Sequence, residues 1–337
     1  MAQLENPSGP MIRLRVGLPR LGPRLGRYAH WWRTVTRHGT PSTLLRFGCG
    51  FGDHLMLTCI ARELSRRGNQ RIWVASNHPD LFQNNGDIQH VVAEDMVAPL
   101  ASQKNWWLAR SPATVISPNY APHVPGERRD RPPEKHILAI LCEQAGLRGA
   151  VQLRPYLPLT REEVKPGNRV ARQVVIQTSG RSARQFMRTK EWFPERFQEV
   201  ANQLKDEVNF VQLGHPSDPP IEGALDLRGR TSLRESAAVL ANSLLFVGLV
   251  GFLMHLARAV DCPAAIIYGG RELPEQTGYP CNLNITGRAP CSPCWRYDDC
   301  PGGRICMEQI KVEQVVAAIR PRLAGVARPL AIQECLV

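Results

Sequence analysis

The sequence predicts an α/β fold of the doubly wound kind, in which helices cover both faces of a parallel sheet. The clearest evidence lies in residues 232–270. A helix opens there with the capping-box pair Ser232 and Glu235, and a short apolar run ended by Gly248 predicts a buried strand. A second helix opens at Gly251 and leads into another apolar strand. Helix, strand, glycine loop, helix and strand form half of a doubly wound sheet, whose strand ends bind phosphates.

The same order of elements occurs twice more. Residues 43–47 and 71–75 are predicted strands, with a glycine-rich turn and an amphipathic helix between them. The pattern restarts with predicted strands at 173–177 and 208–213, separated by a helix that has Pro194 in its first turn. We therefore expect two α/β domains with parallel sheets.

The length of the chain agrees with two domains, because 337 residues can form two cores of ordinary size. We place a basic N-terminal leader at 1–40, a first domain at 41–160 and a second domain at 170–322. The stretch between the two domains contains Pro166 and Gly167, which are typical of a linker.

Composition limits the class of protein. Apolar residues make up 43% of the chain and charged residues 21%, which is typical of a soluble globular protein. A net charge of +12 indicates an anionic partner, such as a nucleotide, a phosphorylated lipid, a membrane surface or a nucleic acid. The first ten residues contain no apolar core segment, so we expect no signal peptide and a cytoplasmic protein. Its ten cysteines are then expected to be thiols or metal ligands rather than disulfides.

Membrane contact is considered for two stretches. No acidic residue occurs from 6 to 52, where arginines are interspersed with Trp31 and Trp32. This pattern indicates peripheral contact with anionic lipid at the inner face of the membrane, and the alternative is a poorly ordered leader broken by prolines. Residues 236–257 carry no charge and are long enough for a membrane span, but Gly248 and other breaks favour strand and helix boundaries.

Two groups of polar residues are candidates for chemistry. Asp53 follows the first glycine-rich turn, and it is a helix N-cap, a carboxylate that projects into a cleft, or both. Four basic residues gather in the loop that follows the predicted strand at 173–177: Arg181, Arg184, Arg188 and Lys190. Such a loop binds phosphate oxygens, and the alternative is a solvated basic loop without a ligand.

Four segments carry a resemblance to one family. They read G-F-G-D-H-L-M-L-T at 50–58, K-E-W-F-P-E-R-F at 190–197, L-D-L-R-G-R-T-S-L-R-E at 225–235 and F-V-G-L-V-G-F-L-M-H-L-A at 246–257. With these motifs in this order, the chain resembles glycosyltransferase family nine, the ADP-heptose-dependent heptosyltransferases, over residues 43–320. The resemblance implies the GT-B architecture, in which two facing Rossmann-like domains with parallel sheets bind the acceptor, at 41–160, and the donor, at 170–322.

The resemblance also implies roles for individual residues. Asp53 aligns with the general base that deprotonates the acceptor hydroxyl, and Lys190 aligns with a lysine that contacts the donor diphosphate. Fixed cations and helix N-termini stabilise the leaving group, so no catalytic cofactor or metal ion is expected. The full set of implied donor-binding residues is Thr178, Ser179, Arg181, Lys190, Gly251 and His255.

One position departs from the family pattern. Many members carry an acidic residue and then Ser or Thr before the glycine of the last motif, whereas this chain has Leu249 and Val250. Any contact at this point must then come from backbone N–H groups around Gly251. His255 remains as a residue that faces the phosphates, or alternatively as a buried structural histidine.

The function expected from the resemblance is inverting transfer of a sugar, a heptose above all, from a nucleotide-diphosphate donor. ADP-heptose is the favoured donor, and the acceptor is a cell-envelope glycolipid precursor, as in lipopolysaccharide biosynthesis, or a protein hydroxyl. Three alternatives stay open. They are a nucleotide-sugar epimerase of the same architecture, a zinc-containing nucleic-acid binder, and a degenerate binder that transfers nothing. The main hypothesis includes no nucleic-acid partner.

A cysteine-rich loop at 291–306 follows the donor motifs. Its four cysteines have the spacing C-x₂-C-x₅-C-x₅-C, and they are Cys291, Cys294, Cys300 and Cys306. A C-x₂-C pair is the usual first half of a tetrahedral thiolate site, so we predict a structural zinc or iron ion here. The alternatives are reduced thiols packed under Trp295, or two disulfides. Four thiolates leave no open coordination position, so a metal would hold the loop together and would not take part in catalysis.

Overall fold

The computed structural model describes residues 21–47, 50–97, 113–181, 183, 185–324 and 334–336. The chain divides into one unit at 1–40 and another at 41–337. In the first unit, helix α1 (Leu21–His38) includes Pro23 in its first turn. A proline is tolerated there, because the backbone N–H groups of the first turn have no hydrogen-bond partner within the helix. Pro23 therefore does not break the helix, contrary to the alternative of a broken leader, and Pro19 lies outside the described residues. The arginines at 13, 15 and 20 lie outside the described residues.

The first sheet of the larger unit is parallel. Its strands are β1 (Thr43–Arg46), β2 (Ile72–Ala75), β3 (His90–Val92) and β4 (Thr114–Ile116), in the order β3-β2-β1-β4. The helices in this part are α2 (Phe51–Arg66), α3 (Glu94–Val97) and α4 (Ile137–Gln144). In the central strand, Thr43 pairs in register with Ile72 on one side and with Thr114 on the other.

The second sheet is larger and also parallel. After β5 (Ala150–Gln152), its strands are β6 (Gln173–Ile176), β7 (Asn209–Gln212), β8 (Leu225–Asp226), β9 (Leu245–Leu249), β10 (Ala264–Tyr268) and β11 (Leu283–Thr286), in the order β11-β10-β9-β6-β7-β8. β12 (Glu334–Leu336) pairs with β5 in an antiparallel ribbon. The helices of this half are α5 (Arg161–Val164), α6 (Pro194–Leu204), α7 (Leu233–Ala241), α8 (Phe252–Ala259), α9 (Pro274–Thr277), α10 (Ile305–Glu308) and α11 (Val312–Leu323). The predicted α/β class with parallel sheets is confirmed.

One hydrophobic core reaches both sheets. A single cluster of buried side chains includes Leu45 of β1, Val175 of β6 and Phe246 of β9. A second cluster lies between the larger sheet and the helices α6 and α11, and it contains the apolar face of α6, with Phe197 fully buried. The two halves of the larger unit therefore share apolar contacts, while the second half also has a core of its own.

Two local expectations are wrong. β9 does not end at Gly248 but continues to Leu249. A Cβ atom at residue 248 would lie 2.4 Å from Cζ of Phe246, so the glycine makes room for an aromatic ring and does not terminate the strand. Asp53 is not an N-cap, because α2 already begins at Phe51 and Gly50 is the cap; Asp53 occupies the third helical position.

The predicted linker packs against α7. Gly167 touches this helix so closely that a Cβ atom there would lie 2.1 Å from the carbonyl oxygen of Ala238. From the same helix, the guanidinium of Arg234 pairs with the carboxylate of Glu163 and donates to the carbonyl oxygen of Asp80 at 3.0 Å. Arg234 therefore ties the second half both to the linker and to the first half.

The uncharged stretch at 236–257 contains the end of α7, β9 and most of α8, as the breaks in its sequence predicted. Among the described residues, no helix has both the length and the apolar character that a membrane crossing requires.

Candidate functional site

The N-termini of α2 and α8 lie side by side. A Cβ atom at Gly52 would be 3.4 Å from Cδ2 of His255 and 3.7 Å from Cα of Phe252. The rings of Phe51 and Phe252 have their centroids 5.4 Å apart. Because each helix N-terminus carries unpaired N–H groups and a partial positive charge, this meeting point favours an anionic ligand.

Asp53 lies at this meeting point and accepts one hydrogen bond on each carboxylate oxygen. Gly50 N donates to Oδ2 at 3.0 Å, and the hydroxyl of Tyr120 donates to Oδ1 at 2.9 Å. Burial raises the pKa of Asp53, whereas the bonds from Tyr120 and Gly50 and the charge of Lys190 lower it. A carboxylate with a raised pKa and a free lone pair on each oxygen can accept a proton.

Tyr120 was not found by sequence reasoning. Its neighbour Asn119 is held by Gln144 of α4, which accepts from the Asn119 amide at 2.7 Å and donates to the Asn119 carbonyl at 2.8 Å. The Tyr120 ring stacks on Phe47, with 5.9 Å between the ring centroids. The loop that carries Tyr120 has no periodic pattern, so no sequence signal links it to Asp53.

Lys190 ends a short 3₁₀ turn and is surrounded by charged groups. Its Nζ lies 2.7 Å from Oε1 of Glu272, and Nη1 of Arg271 lies 2.6 Å from the same oxygen. Burial lowers the pKa of Lys190, while Glu272 and Asp53 raise it. Burial by itself raises the pKa of Glu272, but the charges of Lys190 and Arg271 outweigh that effect and lower it to about 2. Arg271 and Glu272 were also missed, because the residues around them match no sequence motif of a binding site.

His255 is a buried, neutral histidine. Its Nδ1 lies 2.6 Å from the hydroxyl oxygen of Tyr279, and the side chain is nearly closed to solvent. Burial, with the nearby Lys190 and His136, lowers the pKa of His255 to about 3. His255 therefore adds no positive charge near pH 7, although it borders Gly52 at the meeting point of the two helices.

The loop after β6 is stabilised internally. The hydroxyl of Thr178 donates to the carbonyl oxygen of Pro219 at 2.7 Å, and that of Ser179 donates to the carboxylate of Glu191 at 2.6 Å. Gly180 N donates to the other oxygen of Glu191 at 2.8 Å. These hydroxyls thus shape the loop in this conformation. Arg181 belongs to the same loop, whereas Arg184 lies outside the described residues.

Gly251 is the N-cap of α8, with extended backbone before the first turn. The two residues before it, Leu249 and Val250, are buried apolar side chains. No side-chain hydrogen bond can come from these two positions, so the polar groups at this strand end are the backbone N–H groups of α8.

The arginine-rich loop at 122–133 docks on the cysteine-rich loop. Arg128 forms two hydrogen bonds with the carboxylate of Asp298, at 2.9 and 2.7 Å, and the hydroxyl of Tyr297 donates to Asp130. Asp130 also lies 3.4 Å from Nη2 of Arg271. The loop therefore joins the first half to the second half beside Lys190.

The four cysteines of the predicted metal site do not converge on one point in this conformation. Cys291 is exposed, whereas Cys306 is buried in the core of the second half. Burial raises the pKa of Cys294, with smaller contributions from Cys291 and Cys300, so these three thiols are neighbours. Across the described ranges, no three His, Cys, Asp or Glu side chains are arranged to hold a metal ion. The arrangement therefore does not fit a four-thiolate ligand set.

Comparison with known families gives one match. Residues 152–301 match the family model of glycosyltransferase family 9 (heptosyltransferase). This segment includes Lys190, Gly251, His255 and Glu272, and it ends within the cysteine-rich loop. None of the curated proteins matches the chain.

Several solved structures have the same fold. The iron-containing dodecameric glycosyltransferase TibC of enterotoxigenic E. coli H10407 is 20% identical, with a TM-score of 0.64 over 85% of this chain and 77% of that one. The E. coli ADP-heptose lipopolysaccharide heptosyltransferase II is 14% identical, with a TM-score of 0.62 over 84% of this chain and 99% of that one. The family 9 glycosyltransferase of Veillonella parvula DSM 2008 is 16% identical, with a TM-score of 0.61 over 85% and 98%. At these identities the likeness concerns the fold, and it confirms the expected GT-B type.

The contact between Tyr120 and Asp53 gives a prediction. Tyr120→Phe removes a hydrogen bond to a carboxylate, worth roughly 1.5–3 kcal/mol, so the pKa of Asp53 should rise by about one to two units. A carbon-detected NMR titration of labelled aspartate measures this change. Tyr156→Phe is the matched control, because the Tyr156 hydroxyl donates to an uncharged oxygen of Gln152 at 3.0 Å. An unchanged Asp53 titration in Tyr120→Phe would contradict the prediction.

Proposed function

Since this chain is a glycosyltransferase with a family 9 domain at residues 152–301, we propose that it transfers a heptose from ADP-heptose to an acceptor hydroxyl, with inversion at the anomeric carbon. One observation carries the proposal. Half-buried Asp53 lies in the first turn of α2, which meets α8 at Gly52, and the charge of Lys190 lowers its pKa, so we place a general base and a cation for the leaving group in one site.

The donor is assigned to the half that contains Lys190. TibC has been solved in complex with ADP-D-β-D-heptose, with a TM-score of 0.62 to this chain. Transfer releases ADP, whose developing negative charge the Lys190 ammonium and the backbone N–H groups after Gly251 stabilise. The loop with Thr178, Ser179 and Arg181 supplies further backbone donors, and neutral His255 borders the same position. Because Leu249 and Val250 are apolar, backbone N–H groups replace side-chain contacts there.

The acceptor is assigned to the half at 41–160, which contains Asp53. Its carboxylate takes the proton as the acceptor oxygen bonds to the anomeric carbon, and the bond from that carbon to the ADP oxygen breaks. A glycolipid precursor of lipopolysaccharide and a protein hydroxyl both provide such an oxygen. Incubating the protein with ADP-heptose and each class of acceptor separates them, because only the true acceptor gains the mass of one heptose.

The pairing of the basic residues favours this function over nucleic-acid binding. Arg128, Arg228 and Arg234 bind the carboxylates of Asp298, Asp226 and Glu163. A surface for nucleic acid would present its arginines to phosphates.

A cytoplasmic location with peripheral membrane contact is part of the proposal. In α1, Trp32 is 40% exposed, and Arg33 and Arg37 are exposed on the same helix. A tryptophan beside arginines is typical of a helix that lies on anionic lipid. Such contact would bring the enzyme to a membrane-bound acceptor.

Asp53→Asn tests the general base. The asparagine oxygen can still accept from Gly50 N, so the fold should persist while turnover falls by about two orders of magnitude or more. Release of ADP from ADP-heptose in the presence of acceptor measures turnover. Asp206→Asn, at an exposed residue after α6, is the control and should be unaffected. Near-normal turnover of Asp53→Asn would show that Asp53 only supports the start of α2.

Lys190→Ala tests the contact to the diphosphate. Because the ammonium would bind phosphate oxygens, the variant should bind ADP at least tenfold more weakly while its affinity for adenosine changes little. Isothermal titration calorimetry with both ligands measures the difference. Lys205→Ala, which removes an exposed lysine at the end of α6, is the matched control. Equal losses for ADP and adenosine would exclude a direct phosphate contact.

Zinc or iron in the cysteine-rich loop stays a prediction. It is supported by the cysteine spacing and by the iron named in the TibC structure, and opposed by thiols that do not converge here. Elemental analysis should find about one metal ion per chain, lost together with thermal stability in Cys291→Ser. Cys281→Ser, outside the loop, should keep the metal. Metal-free protein with four freely titrating thiols would contradict the prediction.

A further inference from the structure

Lys190 depends on its surroundings to keep its charge. Its side chain is 22% exposed, and burial lowers its pKa. A lysine in such a place stays protonated only where a fixed anion compensates the lost hydration. A deprotonated Lys190 would have no charge to offer a diphosphate.

Charged and titratable groups reach Lys190 from three elements. Asp53 faces it from α2, His255 from α8, and Arg271 and Glu272 from the segment after β10. His255 is neutral, and Arg271 has the same sign of charge as Lys190. Among the residues that the structure describes, the compensating anions are therefore Asp53 and Glu272. Asp53, as the proposed base, takes up a proton during turnover, which leaves Glu272 as the anion that persists.

Glu272 is itself held in place. Its carboxylate contacts the guanidinium of Arg271, and the pKa of about 2 keeps it ionised at all working pH values. Arg271 stacks over the indole of Trp295, 4.7 Å from the ring centroid, and its Nε donates to the carbonyl oxygen of Arg296 at 2.9 Å. The side chain of Glu272 is 4% exposed. A buried, fully ionised carboxylate with a fixed position is suited to orient a lysine.

The end of β9 offers Lys190 no other anion. Val250 lines the same small cavity as Lys190 and Glu272, and it is apolar, like Leu249 before it. The carboxylate that contacts Lys190 therefore comes from the segment after β10 and not from the strand end that precedes α8.

We propose that Glu272 is a positioning residue: its carboxylate, 2.7 Å from Nζ, keeps the Lys190 side chain charged and directed at the donor diphosphate. The inference rests on the proposed function, because it assumes that Lys190 contacts the diphosphate. Glu272 need not touch the donor: its effect passes through Lys190, and Arg271 and Trp295 keep Glu272 where it is.

Glu272→Gln has a specific expected effect on pH dependence. Glu272 raises the pKa of Lys190, so its removal lowers that pKa and moves the loss of the ammonium charge to lower pH. Below the new pKa, Lys190 is charged in both proteins, and the variant should bind ADP as tightly as wild type, or more tightly because one negative charge is gone. As the pH rises through the lowered pKa, the variant should bind ADP progressively more weakly than wild type, up to about tenfold for each unit by which the pKa falls.

The experiment measures the affinity for ADP and for adenosine by calorimetry from pH 6 to pH 9 in the full-length chain. Glu275→Gln is the matched control, since Glu275 is exposed and lies three residues further along. The affinity of Glu275→Gln for ADP should equal that of wild type at every pH. Glu272→Asp keeps the negative charge, so its affinity for ADP should have the wild-type pH dependence. This variant tests the role of the charge even if Glu272→Gln does not fold.

The outcomes separate this inference from the function it rests on. If Lys190→Ala leaves ADP affinity unchanged, the diphosphate contact is wrong, and both proposals fall. Suppose that Lys190→Ala weakens ADP binding, but the ratio of the ADP affinities of Glu272→Gln and wild type is the same at every pH. Glu272 then does not keep Lys190 charged, and this inference alone is overturned. The same pH dependence for adenosine as for ADP would also overturn the inference, because adenosine has no diphosphate.

Discussion

The close approach of α2 and α8 at Gly52 is the constraint on which the site depends. The space that a Cβ atom would need at residue 52 is bordered by the ring of His255 and the backbone of Phe252. A methyl group at residue 52 would make ordinary van der Waals contact with both, whereas a side chain that extends beyond Cβ would press on the His255 ring and the Phe252 backbone. Their separation fixes how far Asp53, on α2, lies from the groups that the second sheet presents at its strand ends. The absence of a long side chain at residue 52 thus lets α2 approach the N-terminus of α8 closely.

Sequence patterns revealed the parts of this site that are local. A strand, a glycine-rich turn and a helix are neighbours in the chain, so hydrophobic periodicity predicts Asp53 and Gly251 at helix starts, although Gly50 and not Asp53 is the N-cap of α2. Tyr120, Arg271 and Glu272 were invisible, because their partners lie far away in the sequence and no spacing rule connects them. For example, Tyr120 meets Asp53 across 67 residues.

Local patterns do not show where packing directs a residue. Gly248 was expected to end a strand. Instead, it lies within β9, and the ring of Phe246 occupies the space that a side chain at residue 248 would need. The spacing of Cys291, Cys294, Cys300 and Cys306 predicts a metal site, yet Cys306 packs into the core while Cys291 faces solvent. In both cases the sequence shows which residues are neighbours in the chain, whereas packing determines the surroundings of each residue.

The core that extends from β1 to β6 and β9 has a consequence for mobility. Two halves with separate cores can swing apart on a linker at a small cost in free energy, because only contacts between polar surfaces are replaced by contacts with water. Here such a swing would divide one hydrophobic cluster and part the rings of Phe51 and Phe252, where α2 meets α8. The two sheets should therefore unfold as one cooperative unit with a single calorimetric transition.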